Sequence, residues 1–553
     1  QTTSSVSQAA KSDIDASIAA EDIDVGYDEE SSVGIRFADG SADIDGEGAT
    51  SEGETVTISQ AGTYILSGAA TNGRIIVSAD KSTEIKLIFN GVDITCADNA
   101  PLLVSKAKKV YIVLEDGTEN VLTDGASYSL GEDDSNTDGA IFSKADLTIN
   151  GSGTLTVNAN YKHGIVSKDD LVITDGNINV TSASTAMEGK DSVKISGGTF
   201  NISAGTNGIK STNTEASDKG FISVTGGTFT IVANNDAFEA ETVLSIEGGS
   251  FDITTGGGSA NASMKSDGTP NSDWQNNMGN GGGGPNGMGR PDDNGNGMGG
   301  DPPAMPTADD TGLTIETAAN TTTDSTDTTD NTSTSAKALK AGNEVNISGG
   351  EFKIDSADDS VHSNGNIVIT GGNISVASGD NGMHADGNLT ISDGTVDITK
   401  SYEGIEGSIV TIDGGTISVV ASDDGINCAG GSDTGSTDRM GADQFSSQDG
   451  VELNINGGTV TIDADGDGLD SNGNFTMAGG TVYVCGPTNG GNGALDYNGT
   501  ATVTGGTLIA CGAVGMEEGF GDNSTQYSVL HDLGSTVSAN EKLTITDSDG
   551  KEI

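Results

Sequence analysis

Carboxylate side chains at a repeated spacing are the residues of this sequence best suited to chemistry. A tetrapeptide recurs in which a polar, a small, an apolar and a second polar residue follow one another, as in Glu403 to Glu406 and Asp467 to Asp470. Where two such carboxylates lie about 5 Å apart and poorly solvated, they repel each other by several kcal/mol, and a bound cation removes that repulsion. Carboxylate oxygens are the hard ligands that Ca²⁺ prefers, so this pattern predicts calcium binding.

The predicted calcium ligands occupy the first and fourth positions of the tetrapeptide and the turn before it. The sharpest stretch is Asp463 to Gly468, whose D-x-D-x-D-G order opens known calcium loops. Asn474 stands where an EF-hand would carry its twelfth-position Glu, which argues against an EF-hand. The alternative is a solvated acidic face, with Asp and Asn favoured by turn geometry. The full predicted set is Asp236, Glu239, Asp359, Glu403, Glu406, Asp424, Asp463, Asp465, Asp467, Asp470, Asp496 and Glu517.

Cysteine and histidine residues give weaker patterns. Cys485 and Cys511 each follow an equivalent glycine by five residues in adjacent repeats, which predicts stacking close enough for a disulfide. A stacked pair of free thiols is the alternative. His362 and His384 share the fourth tetrapeptide position of adjacent repeats, and no nucleophile motif accompanies them, so we interpret them as turn residues.

Carbohydrate recognition and lyase chemistry have their own candidate residues. The stacking platforms for sugar would be Tyr402, Tyr483 and Tyr497, since the only tryptophan lies in a Gly-rich segment. A lyase removes the proton beside a uronate carboxylate with a base next to the metal. The arginines fall outside the regular repeats, which leaves Lys190, Lys210 and Lys400 as candidate bases.

A repeat of about 22 residues must position these side chains. In each repeat a Gly-Gly-Thr-type turn precedes alternating residues such as Phe200 and Ile202, which predicts a strand with one buried face. Three short strands in so few residues predict an all-β fold, a right-handed parallel β-helix solenoid with extruded loops, because helical repeats and propeller blades need other lengths. Its stacked coils would place equivalent residues in columns. The second glycines of the turns are Gly176, Gly198, Gly227, Gly249, Gly350, Gly372, Gly394, Gly415, Gly458, Gly480 and Gly506.

Changes in pattern divide the chain into six segments. The long insertion is rich in Gly, Asn and Thr, which predicts flexibility, and Ala262 to Lys265 before it resembles one more tetrapeptide. The predicted segments are an N-terminal arm or tether (1–50), a β-rich cap with the first coils (51–139), β-helix (140–255), the insertion (256–340), β-helix (341–520) and a C-terminal β segment (521–553).

Composition excludes several partners. With 82 acidic and 24 basic residues the net charge is −58, which repels nucleic acid and anionic membranes. No apolar run reaches the roughly 20 residues of a membrane span. Acidity with abundant Thr, Ser, Asn and Gly predicts a secreted protein. The sequence would then be the mature chain, with its leader already removed.

Residues 467–497 and the motifs GTYILSG (62–68), LIFNGVDIT (87–95) and EDGTENVLTD (115–124) carry a family resemblance. Over about residues 50–553 the chain resembles the calcium- and carbohydrate-binding β-helix proteins of anaerobic bacteria, once known only as a domain of unknown function. The resemblance implies a pectate-lyase-like fold, bound Ca²⁺, and binding of cellulose or polygalacturonate. It also implies a C-terminal part that is trimmed relative to the family.

These observations predict an extracellular, cell-surface protein that binds polysaccharide through Ca²⁺ without catalysis. One alternative is a structural protein that assembles with itself into filaments, through the N-terminal arm or the ends of the β-helix. The other is a calcium-dependent polysaccharide lyase.

Overall fold

Strands with one apolar face make up almost all of the regular structure. In the strand Thr199–Ala204, for example, Phe200 and Ile202 are buried while Thr199 and Asn201 are exposed. The structure is a computed structural model, and it describes residues 14–38, 40–130, 136–262, 335–429, 447–538, 542, 544 and 546–552. The chain divides into two units, Gln1–Ser263 with Thr334–Ile553, and Met264–Ser333; the second lies outside the described residues.

The N-terminal part contains the only α-helix among the described residues, α1 (Ala20–Ile23), and the first nine strands. Short 3₁₀ helices lie at Glu29–Ser31 and Ser259–Asn261. Two strand pairs here are antiparallel, the first with the second and the third with the fourth. The strands are β1 (Val33–Ala38), β2 (Ser41–Asp45), β3 (Ala49–Glu52), β4 (Thr55–Ile58), β5 (Gly62–Ala70), β6 (Arg74–Ser78), β7 (Glu84–Cys96), β8 (Leu102–Lys106) and β9 (Lys109–Leu114).

From β10 onward the chain visits three parallel ladders in turn, and each circuit is called a rung here. The first ladder contains β10 (Glu119–Asp124), β13 (Thr154–Ala159), β16 (Asn177–Ser182), β19 (Thr199–Ala204), β22 (Thr228–Ala233), β25 (Ser250–Thr255), β28 (Glu351–Ser356), β31 (Asn373–Ser378), β33 (Thr395–Lys400), β35 (Thr416–Ala421), β38 (Thr459–Ala464), β41 (Thr481–Cys485) and β44 (Thr507–Cys511).

The second ladder extends β8 and carries the tetrapeptides. It contains β11 (Gly139–Ser143), β14 (His163–Ser167), β17 (Met187–Gly189), β20 (Ile209–Ser211), β23 (Phe238–Ala240), β26 (Leu339–Ala341), β29 (Val361–Ser363), the first part of β32 (Met383–Ile391), the first part of β34 (Ile405–Ile412), β36 (Ile426–Cys428), β39 (Leu469–Ser471) and β42 (Leu495–Tyr497).

The third ladder extends β9 and shares the two longest late strands with the second. It contains β12 (Asp146–Gly151), β15 (Asp170–Ile173), β18 (Ser192–Ile195), β21 (Phe221–Val224), β24 (Val243–Ile246), β27 (Glu344–Ile347), β30 (Asn366–Ile369), the second parts of β32 and β34, β37 (Glu452–Ile455), β40 (Asn474–Met477) and β43 (Ala501–Val503). The predicted all-β class is confirmed.

Apolar side chains fill the space between the ladders in continuous rows. The rings of Phe200, Phe229, Phe251 and Phe352 stack face to face, with centroids 4.5, 4.9 and 4.5 Å apart along the row. The recurring glycines permit this close stacking. Gly198 has a φ of 106°, and a Cβ there would lie 3.0 Å from the Gly176 carbonyl oxygen. Only glycine fits this turn without strain.

The structure differs from two of the predicted segments, and most of a third lies outside the described residues. Strands begin at Val33, inside the predicted arm 1–50, because Ile35 and Phe37 alternate and are buried. No strand of the described C-terminal residues follows Cys511, where only an isolated bridge joins Thr546 and Glu552, so the predicted β segment 521–553 does not form there. Most of the predicted insertion lies outside the described residues, and regular structure resumes at Leu339.

The predicted arm packs on its own chain before the first strand. The Asp22 carboxylate is buried and contacts Lys109 and Thr148, each at 2.5 Å. Lys86 donates to the carbonyls of Asp24 and Gly26. The described part of the arm therefore crosses the third ladder of the same molecule. None of the described helices is long and apolar enough to span a membrane.

Candidate cation site

Parallel register converts the fourth tetrapeptide position into one column along the second ladder. Each residue of this column pairs directly with the next one. The column place predicted for Lys265 belongs to Lys340, which pairs with Glu239, whereas Lys265 lies outside the described residues. In order the column reads Glu188, Lys210, Glu239, Lys340, His362, His384, Glu406, Asn427, Asp470 and Asp496.

The first tetrapeptide position uses one carboxylate oxygen to bind the next rung. Asp359 Oδ1 accepts the backbone N–H of Asn381 at 3.1 Å. Asp424 Oδ1 accepts that of Asp467 at 2.6 Å, and Asp467 Oδ1 accepts that of Gly493 at 2.5 Å. With Oδ1 engaged in this way, Oδ2 is the oxygen left for a cation, as in the contact of Asp359 Oδ2 with Lys337.

In the first half of the column, lysines supply that cation. Asp236 Oδ2 lies 3.1 Å from Lys340 Nζ, and Glu239 lies 2.7 Å from Lys210 and 3.5 Å from Lys340. The predicted ligands Asp236 and Glu239 are therefore neutralised by ammonium groups of the protein itself.

Asp359 is also neutralised from within the chain. Its Oδ2 lies 2.8 Å from both Lys337 Nζ and His362 Nδ1, and the side chain is fully buried. Burial alone would raise the pKa of Asp359, but Lys337 and the imidazoles of His362 and His384 outweigh it and hold that pKa well below its usual range. Lys337, three residues before Lys340, repeats the spacing of the tetrapeptide, a signal that could have identified it from the sequence.

Amide groups replace the lysines in the next two rungs. Asn381 donates to Glu406 at 2.5 Å, and Asn427 donates to Glu403 at 3.3 Å. An amide carries no charge, so it does not neutralise a carboxylate. Burial, followed by the charge and hydrogen bond of Glu406, raises the pKa of Glu403 well above its usual value.

Beyond these rungs, Asp424, Asp467 and Asp470 form a cluster whose carboxylate oxygens lie within 4.8 Å of one another. Burial and the charge of Asp423 raise the pKa of Asp424 to about 9. Burial and Asp467 raise the pKa of Asp470 to about 8, and burial raises that of Asp467 to about 6. Among the described residues no lysine, arginine or histidine lies within 4 Å of these three carboxylates, as an ion pair would require. Within the described residues, this half of the column therefore lacks the lysine cations that the first half contains.

Two further acids border the cluster, and one of them was not predicted. Burial raises the pKa of both Asp496 and Glu518. Glu518 accepts the backbone N–H of Tyr497 at 3.2 Å, whereas the predicted ligand Glu517 is exposed and its carboxylate bonds the nearby Gly515 N–H. Glu517 lies away from the cluster because Met516 is exposed rather than buried, so the chain leaves the repeat register after β44.

The D-x-D-x-D stretch is divided between two surfaces. Asp463 lies exposed on the outer face of the first ladder, in register with Cys485, and Asp465 is exposed in the following turn. Only Asp467 reaches the cluster. The alternation that suggested one loop with three ligands instead belongs to the strand β38, which turns Asp463 away from the second ladder.

The predicted cysteines and tyrosines do not come together in one site. Cys485 and Cys511 pair directly in the first ladder, and both are exposed free thiols, so the disulfide is not formed in this structure. Tyr483 is 45% exposed on the same face. Tyr497 lies at the cluster, where its hydroxyl donates to the Gly519 carbonyl, and the Tyr402 N–H donates to the Asp380 carbonyl.

The raised pKa values give a pH dependence with a definite sign. An acid whose pKa rises on folding binds more protons in the native state, so its contribution to stability is lost as pH rises. In EDTA we expect the melting temperature to fall between about pH 4 and pH 9, most steeply between about pH 4 and pH 6, where Asp467, Asp470 and Asp424 are all protonated in the native state and ionised in the unfolded state. Asp470→Asn should flatten the decline, and Asp463→Asn should leave it unchanged. Equal slopes for all three proteins would contradict this assignment.

Comparison with known proteins identifies the family of the part of the chain that contains the cluster. A family described as carbohydrate-binding domain-containing protein matches residues 52–382 and 383–493, and so includes the cluster. The chain belongs to this family. A protein of the same description from Acetivibrio thermocellus is 44% identical over 126 residues, which are 23% of this chain and 44% of that protein. The chain thus spans less than half the length of that carbohydrate-binding domain protein.

A solved structure is also similar to part of the chain described here. It is described as a polysaccharide lyase-like protein from C. thermocellum, in a gadolinium derivative. The match has 39% identity and a TM-score of 0.40, and it covers 41% of this chain and 92% of that chain.

Proposed function

We propose that this chain is an extracellular, calcium-dependent protein that binds acidic polysaccharide without catalysis. The observation that carries the proposal is the cluster of Asp424, Asp467 and Asp470. The equivalent oxygens of Asp236 and Asp359 bind lysine, whereas here the described residues supply carboxylates alone. Three or more oxygen donors around one point suit Ca²⁺. The bound ion would neutralise the three carboxylates.

The polysaccharide would bind the ion at the coordination positions that the protein leaves open. Ca²⁺ takes six to eight oxygen ligands, so three aspartates leave positions for carboxylate or hydroxyl oxygens of a uronate polymer. Tyr497 follows Asp496 at the edge of the cluster and is the aromatic side chain that would stack on a sugar ring. Membership of the carbohydrate-binding domain family supports polysaccharide as the partner.

The surroundings of the cluster favour binding over lyase chemistry. The candidate base Lys210 is paired with Glu239 at 2.7 Å, and Lys400 donates to the Ser259 carbonyl at 2.6 Å. Lys190 lies 4.0 Å from Glu215. Among the described residues, the largest charge effects on Asp424 and Asp470 come from carboxylates, and no lysine or arginine forms an ion pair with the cluster there.

The proposal includes a right-handed parallel β-helix as the scaffold. It is supported by the order of the ladders, since each strand pairs in parallel with its equivalent one rung later. Connections between parallel strands of one sheet are right-handed in about 98% of cases. Stacked rungs then hold the carboxylates of adjacent tetrapeptides at strand spacing, about 4.8 Å apart.

Thermal unfolding with and without calcium tests the proposal. We expect CaCl₂ to raise the melting temperature above its value in EDTA, and polygalacturonate to raise it further only when calcium is present. Asp467→Asn should remove most of the calcium shift, and Asp463→Asn, at the first residue of the same predicted loop, should retain it. An unchanged melting temperature on calcium addition, or equal losses in both variants, would contradict the proposed site.

Self-assembly is a second candidate with one observation in its favour. Among the described residues, the strand β44 of the last rung pairs with a strand on one side only, and Ile509 in β44 and the nearby Val514 are exposed. An open edge of this kind can add a strand of another chain. The arm, by contrast, is engaged with its own third ladder. Assembly through the end of the stack should be visible as concentration-dependent mass in light scattering without any sugar.

A further inference from the structure

A second cluster, one of different chemistry, lies in the middle of the column. The ligand atoms of Asp359, His362 and His384 lie within 4.8 Å of one another, and all three residues are buried. His362 Nδ1 and His384 Nδ1 lie 2.8 and 4.0 Å from the same atom, Asp359 Oδ2. The two imidazoles approach each other edge to face, with centroids 5.0 Å apart.

Both imidazoles are oriented from their outer side. His362 Nε2 lies 2.9 Å from Asn364 Oδ1, and His384 Nε2 lies 3.4 Å from Asp386 Oδ1. With a metal ion bound, the oxygen acceptor beside each Nε2 would hold the ring proton there and leave the Nδ1 lone pair for the ion. This arrangement accompanies almost every metal-binding histidine. Here it occurs twice, and both Nδ1 atoms lie within 4.0 Å of one carboxylate oxygen, Asp359 Oδ2.

We propose that Asp359, His362 and His384 form a structural site for a divalent transition metal of the Zn²⁺ class. Zn²⁺ binds nitrogen and oxygen at about 2.0–2.2 Å, so tetrahedral ligands lie about 3.4 Å apart, between the two observed separations. Glu406 Oε2 lies 3.5 Å from His384 Nδ1, at the border of these three ligands. Two imidazole nitrogens distinguish this site from the all-oxygen cluster proposed for Ca²⁺.

Lys337 is the one cation that competes for this position among the described residues. Its ammonium contacts Asp359 Oδ2 at 2.8 Å, but it also contacts Asp358 Oδ1 at 2.9 Å. The ammonium can keep Asp358 as its partner when Asp359 binds a metal. Because the site is closed, the ion would bind as part of the folded core rather than at an open catalytic position.

Cobalt titration of the full chain tests this site, with excess Ca²⁺ present to fill the hard oxygen sites. We expect one equivalent of Co²⁺ to give a visible d–d absorption band, which Zn²⁺ abolishes by displacement. His362→Asn and His384→Asn should each remove the band, and His163→Gln, a histidine of the same ladder outside the cluster, should keep it. Circular dichroism in EDTA checks that each variant is folded.

Two further variants keep the test decisive. Asp386→Asn leaves all ligands in place and should weaken Co²⁺ binding about 10- to 100-fold through loss of orientation. Asp467→Asn should remove the calcium shift while the cobalt band remains, which separates this site from the proposed function. No band in the wild-type chain, or a band retained in both histidine variants, would overturn the proposal.

Discussion

Replacement of Lys337 by methionine will lower the free energy of unfolding by about 3–5 kcal/mol, because it leaves the Asp359 carboxylate buried without its ammonium partner. Asp359 has no exposed surface, and Lys337 Nζ lies 2.8 Å from its Oδ2. The attraction between the two charges acts at low dielectric, so solvent cannot replace it. Urea denaturation of wild type and variant measures the difference.

An exposed ion pair of the same chain is the matched control for this measurement. Lys353 and Asp252 lie 3.1 Å apart, but their side chains are 79% and 58% exposed. Lys353→Met should therefore change stability by less than about 1 kcal/mol. Asp359→Asn in the Lys337→Met background should restore part of the loss, since it removes the unpaired charge. If both lysine variants were equally stable, the buried pair would not be the source of the effect.

Replacement of Phe229 by alanine will lower the free energy of unfolding by about 3–5 kcal/mol, because a large cavity opens in the row of stacked rings. Phe229 is 1% exposed and stacks on Phe200 at 4.5 Å and on Phe251 at 4.9 Å. Rungs contact only their neighbours, so the loss acts on both sides of one rung and weakens the stack at its middle. Urea denaturation measures this effect, and an unchanged slope with denaturant confirms that the native fold is retained.

The same strand supplies the control for the core substitution. Val232 lies three residues after Phe229 in β22, on the opposite face, and is 51% exposed. Val232→Ala should change stability by no more than about 0.5 kcal/mol. Phe229→Leu keeps most of the volume and should fall between the two. A loss for Val232→Ala comparable with that for Phe229→Ala would indicate that strand propensity, rather than burial, decides stability here.

The sequence by itself determined the all-β class, the spacing of the repeat and the column of tetrapeptide residues. These follow from local rules: alternation fixes which side chains are buried, and turns that require glycine, such as Gly198, mark each rung. In a stack of parallel strands, equal sequence spacing becomes direct register. This is why Asp470 and Asp496, and also Cys485 and Cys511, were placed side by side correctly from spacing alone.

Only the tertiary structure decided which carboxylates have a protein cation beside them. Asp236 and Asp467 occupy the same tetrapeptide position, yet Lys340 reaches the first while the described surroundings of the second are acidic. Lys340 follows the long insertion, so its partner depends on how the chain returns to the stack. Glu518 rather than Glu517 borders the cluster, because the chain leaves the repeat register after the last rung. Ion pairing and burial depend on neighbours distant in sequence, and a local pattern does not contain that information.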